Sequence, residues 1–238
     1  MKFRNTIAVG LLTLAGLAGM YGCSSTPNLE TQKRQDALVQ TYPQELTEMA
    51  TAKNNAVELK NLGNWVEYAG YTAASVLSGN SLGTAYTAKS LAREFSNNES
   101  GDALSIYTVA VLAAGVDLQK VRDAKAMTLK LHPKYNRTDK AAFTLAVVLA
   151  DGDLEKVTQA EAVAHEIDSG GYKGEIDLYA SALLAAKGSM DKVLAAREIA
   201  RKFYVGYLTE LAGYTLASVF ALNDNPAAQS ISQTPGTQ

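Results

Sequence analysis

Few side chains in this sequence have the type and spacing that chemistry requires. The two histidines, His132 and His165, stand 33 residues apart. His165 is followed by a glutamate but lacks the second histidine of a HExxH zinc motif. The sequence contains no GxSxG nucleophile motif, phosphate-binding loop or dinucleotide fingerprint. We therefore expect surface histidines, no bound metal and no cofactor.

Carboxylates are the remaining candidates for catalysis. Asp151 and Asp153 are predicted at helix ends, where capping and solvation account for them. A lytic enzyme could act through a single glutamate without any local signature. Glu67 and Glu94 are the first to test, because apolar neighbours could raise the pKa of either carboxyl group. The prediction is that the protein is not an enzyme, and a cell-wall glycosidase or lyase is the alternative.

The N-terminal segment indicates export. Residues 1–22 contain no acidic side chain, Lys2 and Arg4 precede an apolar run, and Cys23 is the only cysteine of the chain. This is the layout of a secretory signal peptide. The 16 residues of 7–22 fall short of the length that crosses a bilayer as a helix. A single cysteine allows neither an intrachain disulfide nor a thiolate metal cluster.

The sequence Met20-Tyr21-Gly22-Cys23 resembles a lipobox, the recognition site of lipoprotein signal peptidase. The resemblance implies cleavage before Cys23, a diacylglyceryl thioether on its sulfur and an acyl group on its amine. Serines at the two following positions, rather than an aspartate, resemble the lipoproteins that are sorted to the outer membrane. We therefore expect a lipid-anchored protein at the cell outer membrane, facing the periplasm.

Composition narrows the classes of partner. Beyond residue 22 the chain has 20 basic and 24 acidic residues, a net charge of −4. That balance provides no basic footprint for nucleic acid and no polybasic patch for anionic lipid. Abundant alanine, scarce proline and weak β-branched alternation favour an all-α chain.

A repeat of 36 residues runs through the body of the chain. An aromatic residue begins each copy, and alanines follow it by 3 and by 17 residues, with a large apolar residue 24 residues after it. The four aromatic residues are Tyr71, Tyr107, Phe143 and Tyr179; the alanines are Ala74, Ala110, Ala146 and Ala182, then Ala88, Ala124, Ala160 and Ala196; the apolar residues are Phe95, Leu131, Ile167 and Phe203. A fifth, partial copy begins at Tyr214, one residue early.

Each copy is predicted to contain two helices. Glycines at 79, 115, 152 and 188 end the first helix, and apolar residues at helical spacing mark the second. Paired helices with this period, and segments such as Leu145-Ala146…Gly152…Val157…Ala160, resemble tetratricopeptide or Sel1-like repeats over roughly residues 71–222. The resemblance implies a right-handed superhelix of antiparallel helix pairs, a TPR-like α-solenoid with about 36 residues per repeat.

The domain prediction follows from these patterns. Residues 1–22 form a lipoprotein signal peptide, 23–43 the lipidated cysteine and a flexible tether, 44–222 the helical repeat domain, and 223–238 a disordered tail. The tail prediction rests on its Asn, Pro, Gln, Ser and Thr content.

Three functions are compatible with this organisation. The leading hypothesis is a protein-binding scaffold for an envelope machine such as a secretion system, a pilus or a cell-wall complex. Its partner-binding candidates are the tyrosines outside the aromatic column: Tyr135, Tyr172, Tyr204 and Tyr207. The second is the cell-wall enzyme. The third is a homo-oligomer, because the fifth copy stops near Leu222 and leaves an apolar face for a second chain to cover.

Overall fold

The computed structural model describes residues 37–60, 65–96, 101–204, 206 and 208–224. Within these ranges all regular secondary structure is helical. The predicted signal peptide, Cys23, most of the predicted tether and all but two residues of the predicted tail lie outside them. A short helix at 37–41 falls inside the predicted tether, and the last helix runs two residues into the predicted tail.

The longer helices alternate between two sets. The outer set contains α1 (Pro43–Leu59), α3 (Leu82–Ser96), α5 (Leu118–Leu131), α7 (Leu154–Ile167) and α9 (Met190–Ala200). The inner set contains α2 (Trp65–Leu77), α4 (Gly101–Ala113), α6 (Arg137–Leu149), α8 (Lys173–Ala185) and α10 (Leu208–Asp224). Short connections make consecutive helices antiparallel, so all members of one set run in the same direction.

The inner helices close into a ring. Each packs against the inner helices before and after it, and α10 packs extensively against α2. Each outer helix packs mainly against the inner helix that follows it, which gives five outer–inner hairpins among the described residues. The all-helical prediction is confirmed. The open, right-handed superhelix is not confirmed, because the contact of α10 with α2 joins the two ends of the array.

The turns after the inner helices explain where those helices end. Two consecutive residues adopt positive φ in each turn, and one of each pair is the predicted glycine. The pairs are Gly79–Asn80, Gly115–Val116, Asp151–Gly152 and Lys187–Gly188. Two turns are followed by an aspartate N-cap: Asp117 accepts from the amides of residues 119 and 120, and Asp153 from those of 155 and 156. The capping prediction is therefore confirmed for Asp153, whereas Asp151 lies in the turn itself at positive φ.

The columns of the 36-residue repeat form the core, with one exception. The four aromatic residues are at most 4% exposed, and the eight alanines at most 8%. Phe95, Ile167 and Phe203 are also buried, but Leu131 is 46% exposed. Leu131 therefore differs from the other members of its column, because the last turn of α5 exposes it to solvent.

The axis of the ring is closed by side chains. A cavity of about 10 Å³ lies there, lined by residues of all five inner helices, among them Ile106, Leu145 and Leu178. That volume is close to the minimum for one water molecule. Gly213 allows a close approach of α10 to α2, since a Cβ at this position would lie 2.8 Å from the Cβ of Ala69. The described residues therefore leave no channel along the axis of the ring.

A second column of the repeat, on the outer helices, connects neighbouring hairpins. Lys89 and Lys125 are 36 residues apart, and each ammonium group lies over the ring tyrosine of the preceding inner helix, 5.0 Å from Tyr71 and 5.4 Å from Tyr107. Each of these lysines also donates to a backbone carbonyl at the C-terminal end of the preceding outer helix. Lys89 donates to the carbonyl of Leu59, and Lys125 donates to that of Phe95. Each cation thus joins two successive hairpins.

Lys53 extends this column across the ends of the chain. Lys53 lies 36 residues before Lys89, yet its ammonium group lies 5.3 Å from the ring of Tyr214 and donates to the Phe203 carbonyl at 2.8 Å. It makes with the last hairpin the contacts that Lys89 makes with the first. The helix α1 therefore completes the fifth copy, and Tyr214 and its neighbours on α10 are buried within the chain.

Candidate functional site

Acidic residues, three of them buried and one half-buried, form a belt at the N-terminal ends of the inner helices. Glu67, Asp139, Glu175 and Glu210 each stand four residues before a ring aromatic. A Cβ on Gly101 would lie 2.5 Å from the Glu67 carboxyl carbon, and one on Gly174 would lie 2.5 Å from an Asp139 carboxylate oxygen. These carboxylates therefore lie against the first turn of the next inner helix, where the helix dipole favours negative charge. Packing against the N-terminus of a neighbouring helix therefore explains why acidic residues recur at these positions.

Protonation distinguishes Glu175 within the belt. Its side chain is fully buried. Burial raises the pKa of Glu175 to about 8, and the increase is reinforced by a hydrogen bond that protonated Glu175 donates to Asp168 and by the negative charge of Asp168. The carboxyl group is consequently neutral up to neutral pH.

The third hairpin departs from the pattern of ring tyrosine and outer cation. Phe143 replaces the tyrosine, and Glu161 replaces the cation that stands 18 residues later in the other copies. Lys173 supplies a positive charge from α8 instead, with its ammonium group 2.6 Å from Glu161 Oε1 and 3.3 Å from Asp177 Oδ1. Burial raises the pKa of Asp177 to about 8, aided by its hydrogen bond with Glu161 and opposed by the Lys173 charge.

Three ring side chains, His132, Tyr135 and Phe143, pack together beside this cluster, and the Lys173 ammonium group lies 5.9 Å from the Tyr135 ring. The imidazole of His132 stacks on Tyr135 at 4.1 Å and meets Phe143 edge-on at 4.5 Å. Burial, followed by the positive charge of Lys173, lowers the pKa of His132. His132 is thus a neutral packing residue rather than the free surface histidine predicted, whereas His165 is exposed. We interpret the Lys173 cluster as a substitute for the missing Tyr–cation contact.

The two candidate catalytic glutamates lie in different environments. Glu94 is exposed and accepts a hydrogen bond at 2.7 Å from Arg122, which lowers the pKa of its carboxyl group. Glu67 is fully buried against the start of α4. The prediction that apolar neighbours raise the pKa of Glu94 is therefore wrong, because the hydrogen bond from Arg122 lowers it.

The predicted partner-binding tyrosines occupy different environments. Tyr172 is 80% exposed. Tyr135 is half-buried in its stack with His132, and Tyr204 packs against the hydrophobic core. Tyr207 lies outside the described residues. No ring contact joins the three described tyrosines to one another, so they do not form one aromatic patch.

A groove that was not predicted lies beside α7, and we call it the α7 groove. Its volume is about 460 Å³, within the range of ligand-binding pockets. One wall is α7, and the other walls are the C-terminal ends of α6 and α8 with the turns that follow them. The lining includes apolar Leu149, Val163 and Leu184, and charged Asp151, Lys156 and Lys187.

The groove exists in part because Val163 is short. In the preceding copy Met127 holds the equivalent position, 36 residues earlier, and its methyl group lies 3.8 Å from the place of a Cβ on Gly152. On α1 the equivalent residue, Asn55, donates to the backbone carbonyl of Asn80 in the turn after α2 at 3.1 Å. Around the equivalent Gly188 no atom lies within 4 Å of that place. Val163 therefore leaves open the space that longer side chains fill elsewhere.

An ion pair that closes the preceding copy is also missing. Lys120 pairs with Asp151 there, and in the following copy Lys192 donates to Asn223 at 2.7 Å. At the α7 groove the corresponding residues are Lys156 and Lys187, two like charges. Among the described carboxylates only that of Asp153, in the cap of α7, pairs with Lys156, at 3.3 Å; none pairs with Lys187. The groove thus combines apolar walls with a lysine, Lys187, that has no carboxylate partner among the described residues, while the one carboxylate in its lining, that of Asp151, pairs with Lys120.

Comparison with protein-family models, with curated proteins and with solved structures gives no match for this chain. The described part of the chain holds no group of His, Cys, Asp and Glu residues arranged to bind a metal ion. No helix among the described residues combines the length and apolar character needed to cross a bilayer.

Proposed function

We propose that this chain is a lipoprotein, anchored in the outer membrane through lipid on Cys23, that acts as a protein-binding scaffold or assembly factor for an envelope machine. Such a machine would be a secretion system, a pilus or a cell-wall complex. The lipobox resemblance supports the anchor. The α7 groove supports the binding function and is the observation on which the proposal depends.

The closed ring changes where a partner would bind. An open superhelix offers a concave surface along its length, whereas here the axis is filled by side chains. The α7 groove interrupts the regular packing of turns between hairpins, and it is lined by apolar carbon and by lysine ammonium groups. These are the features of a site that receives a side chain from another protein.

The two alternatives are less well supported. A glycosidase needs a protonated acid that reaches substrate; Glu94 is exposed but paired with Arg122, and Glu67 is buried. Self-association was proposed because the fifth copy lacked a cover. That face of α10 is covered by α1 and α2 of the same chain.

Two experiments test the proposal. In membrane fractionation, the wild type should be found in the outer-membrane fraction. The Cys23→Ser variant, which cannot be lipidated, should be found in the soluble periplasmic fraction. Affinity purification of the lipidated protein after cross-linking in cells should recover a stoichiometric partner. The amount of partner recovered should fall with Val163→Met, which fills the groove. It should be unchanged with Met127→Leu, a matched change one repeat earlier. Recovery of the same partner with all variants would contradict the assignment to the groove.

A further inference from the structure

We infer that the α7 groove recognises a segment of a partner protein that presents a large apolar side chain next to a carboxylate. The inference rests on the proposed function and specifies the partner's chemistry. Its basis is that the groove lacks two things which the preceding hairpin has in the same places, an apolar side chain and a carboxylate.

The missing carboxylate fixes the position of the partner's charge. In the preceding hairpin the Asp151 carboxylate pairs with Lys120 and ties the turn after α6 to α5. At the groove Lys187 occupies the place of that aspartate, and Lys156 the place of Lys120. An incoming carboxylate would pair with Lys187, for which the described residues offer no carboxylate partner.

The missing side chain fixes the position of the partner's apolar group. Met127 extends from α5 to the turn at Gly152. Val163 does not reach the turn at Gly188, and the space between them is bordered by Leu149 and Leu184. A leucine, methionine or phenylalanine from a partner would restore the contact and bury its own apolar surface.

Charge selects the partner among apolar segments. Lys192 lies close enough to Lys187 that the positive charge of Lys187 contributes to the lowered pKa of Lys192, after burial. A basic segment would add a further positive charge to this cluster. An acidic one would bind with an affinity that decreases as ionic strength rises.

Selection from a random 12-residue peptide library displayed on phage tests the inference without knowledge of the partner. The purified lipidated protein in detergent is the bait. We expect enrichment of peptides with Asp or Glu within two positions of Leu, Ile, Met or Phe. Enriched peptides, synthesised with capped ends, should bind in fluorescence anisotropy and lose at least tenfold in affinity to Val163→Met.

Charge variants test the position of the carboxylate. Lys187→Asp restores the ion pair with Lys156 and should abolish binding of the acidic peptides. Lys187→Met should weaken it by roughly three- to tenfold, and Met127→Leu should leave it unchanged. Circular dichroism and thermal melts confirm that each variant is folded, and Val163→Met should melt no lower than the wild type.

Several outcomes would overturn the inference. It fails if no peptide is enriched, if enriched peptides are basic, or if Val163→Met and Lys187→Asp bind them as well as the wild type does. Dodecanoate has the same chemistry as a free amphiphile; if it binds more tightly than every enriched peptide, the occupant is not a protein segment. A concentration-dependent dimer that is abolished by Val163→Met would assign the groove to a second copy.

Failure of this inference can be distinguished from failure of the proposed function. A stoichiometric partner from cells that still binds Val163→Met leaves the scaffold function in place and removes the groove as its site. Absence of any partner, with peptide selection positive, retains the groove and removes the scaffold.

Discussion

Replacement of Lys53 by methionine tests whether the ring is closed in solution. Methionine keeps most of the apolar stem and removes the ammonium group. The change deletes the hydrogen bond to the Phe203 carbonyl at 2.8 Å and the cation–π contact with Tyr214 at 5.3 Å. Both contacts lie at the interface between α1 and the last hairpin, which we call the seam.

The expected loss follows from those contacts. A hydrogen bond from a charged donor contributes about 1.5–3 kcal/mol, and a cation–π contact about 0.5–2 kcal/mol. Desolvation opposes them, since burial lowers the pKa of Lys53 although the charge of Glu210 acts to raise it. We therefore expect Lys53→Met to reduce the free energy of unfolding by about 1–3 kcal/mol.

Urea unfolding followed by circular dichroism at 222 nm measures this loss. Lys89→Met is the matched variant, because Lys89 makes the same two contacts between the first two hairpins. Lys130→Met, at an exposed position of α5, is the control and should be neutral. In a closed ring the two matched variants lose similar stability, each in one cooperative transition. If Lys89→Met is destabilised while Lys53→Met keeps wild-type stability, the seam is open and our description of the ring is wrong.

Three further predictions concern packing and protonation. Gly213→Ala should lower stability by about 1–3 kcal/mol through overpacking against α2, whereas Gly83→Ala, where a Cβ has open space, should raise it by about 0.5–1 kcal/mol; thermal melts of both variants compare the two sites. Because the folded-state pKa of Glu175 is about 8, folding takes up a proton between pH 5 and 8, so the free energy of unfolding falls as pH rises through that range. Glu175→Gln should make this dependence shallower in urea titrations at a series of pH values, and an unchanged slope would contradict the assigned protonation. Ala124→Leu should destabilise by about 1–3 kcal/mol, while Ala160→Leu, at the wall of the α7 groove, should cost less than half as much; equal costs would argue that the groove is filled.

The sequence allowed the helices to be predicted but not their closure. Aromatic and alanine columns at a 36-residue spacing report which faces of each helix are buried, and the glycines after the inner helices report where those helices end. Both signals are local, and an open array and a closed ring share them. Closure depends on a contact between residues 150 or more apart along the chain, such as Lys53 with Phe203.

A signal for closure was nevertheless present. Lys53, Lys89, Lys125, Glu161 and Arg197 are spaced by 36 residues, as are Leu59 and the four apolar residues at the ends of later outer helices. Both columns begin before Tyr71, so the repeat has its full five copies once α1 is counted. A repeat that is counted from its first aromatic residue, Tyr71, leaves α1 outside the array.

The α7 groove could not be predicted from a single pattern. It results from the loss of two contacts at one place, through Val163 and Lys187. A valine or a lysine at a surface position does not by itself indicate a groove. The groove is recognised only by comparison with the preceding hairpin, in which Met127 contacts the turn at Gly152 and Lys120 pairs with Asp151.

The contact between α10 and α2 also determines where the two ends of the domain lie. Since α1 is antiparallel to α2, and α10 is parallel to it, residue 43 and residue 224 lie on the same face of the ring. The domain therefore depends on the cyclic order of its hairpins rather than on which of them is synthesised first. A circular permutant that joins these two residues by a short glycine–serine linker and opens the turn at Gly115, where added atoms meet nothing within 4 Å, should fold to the same structure.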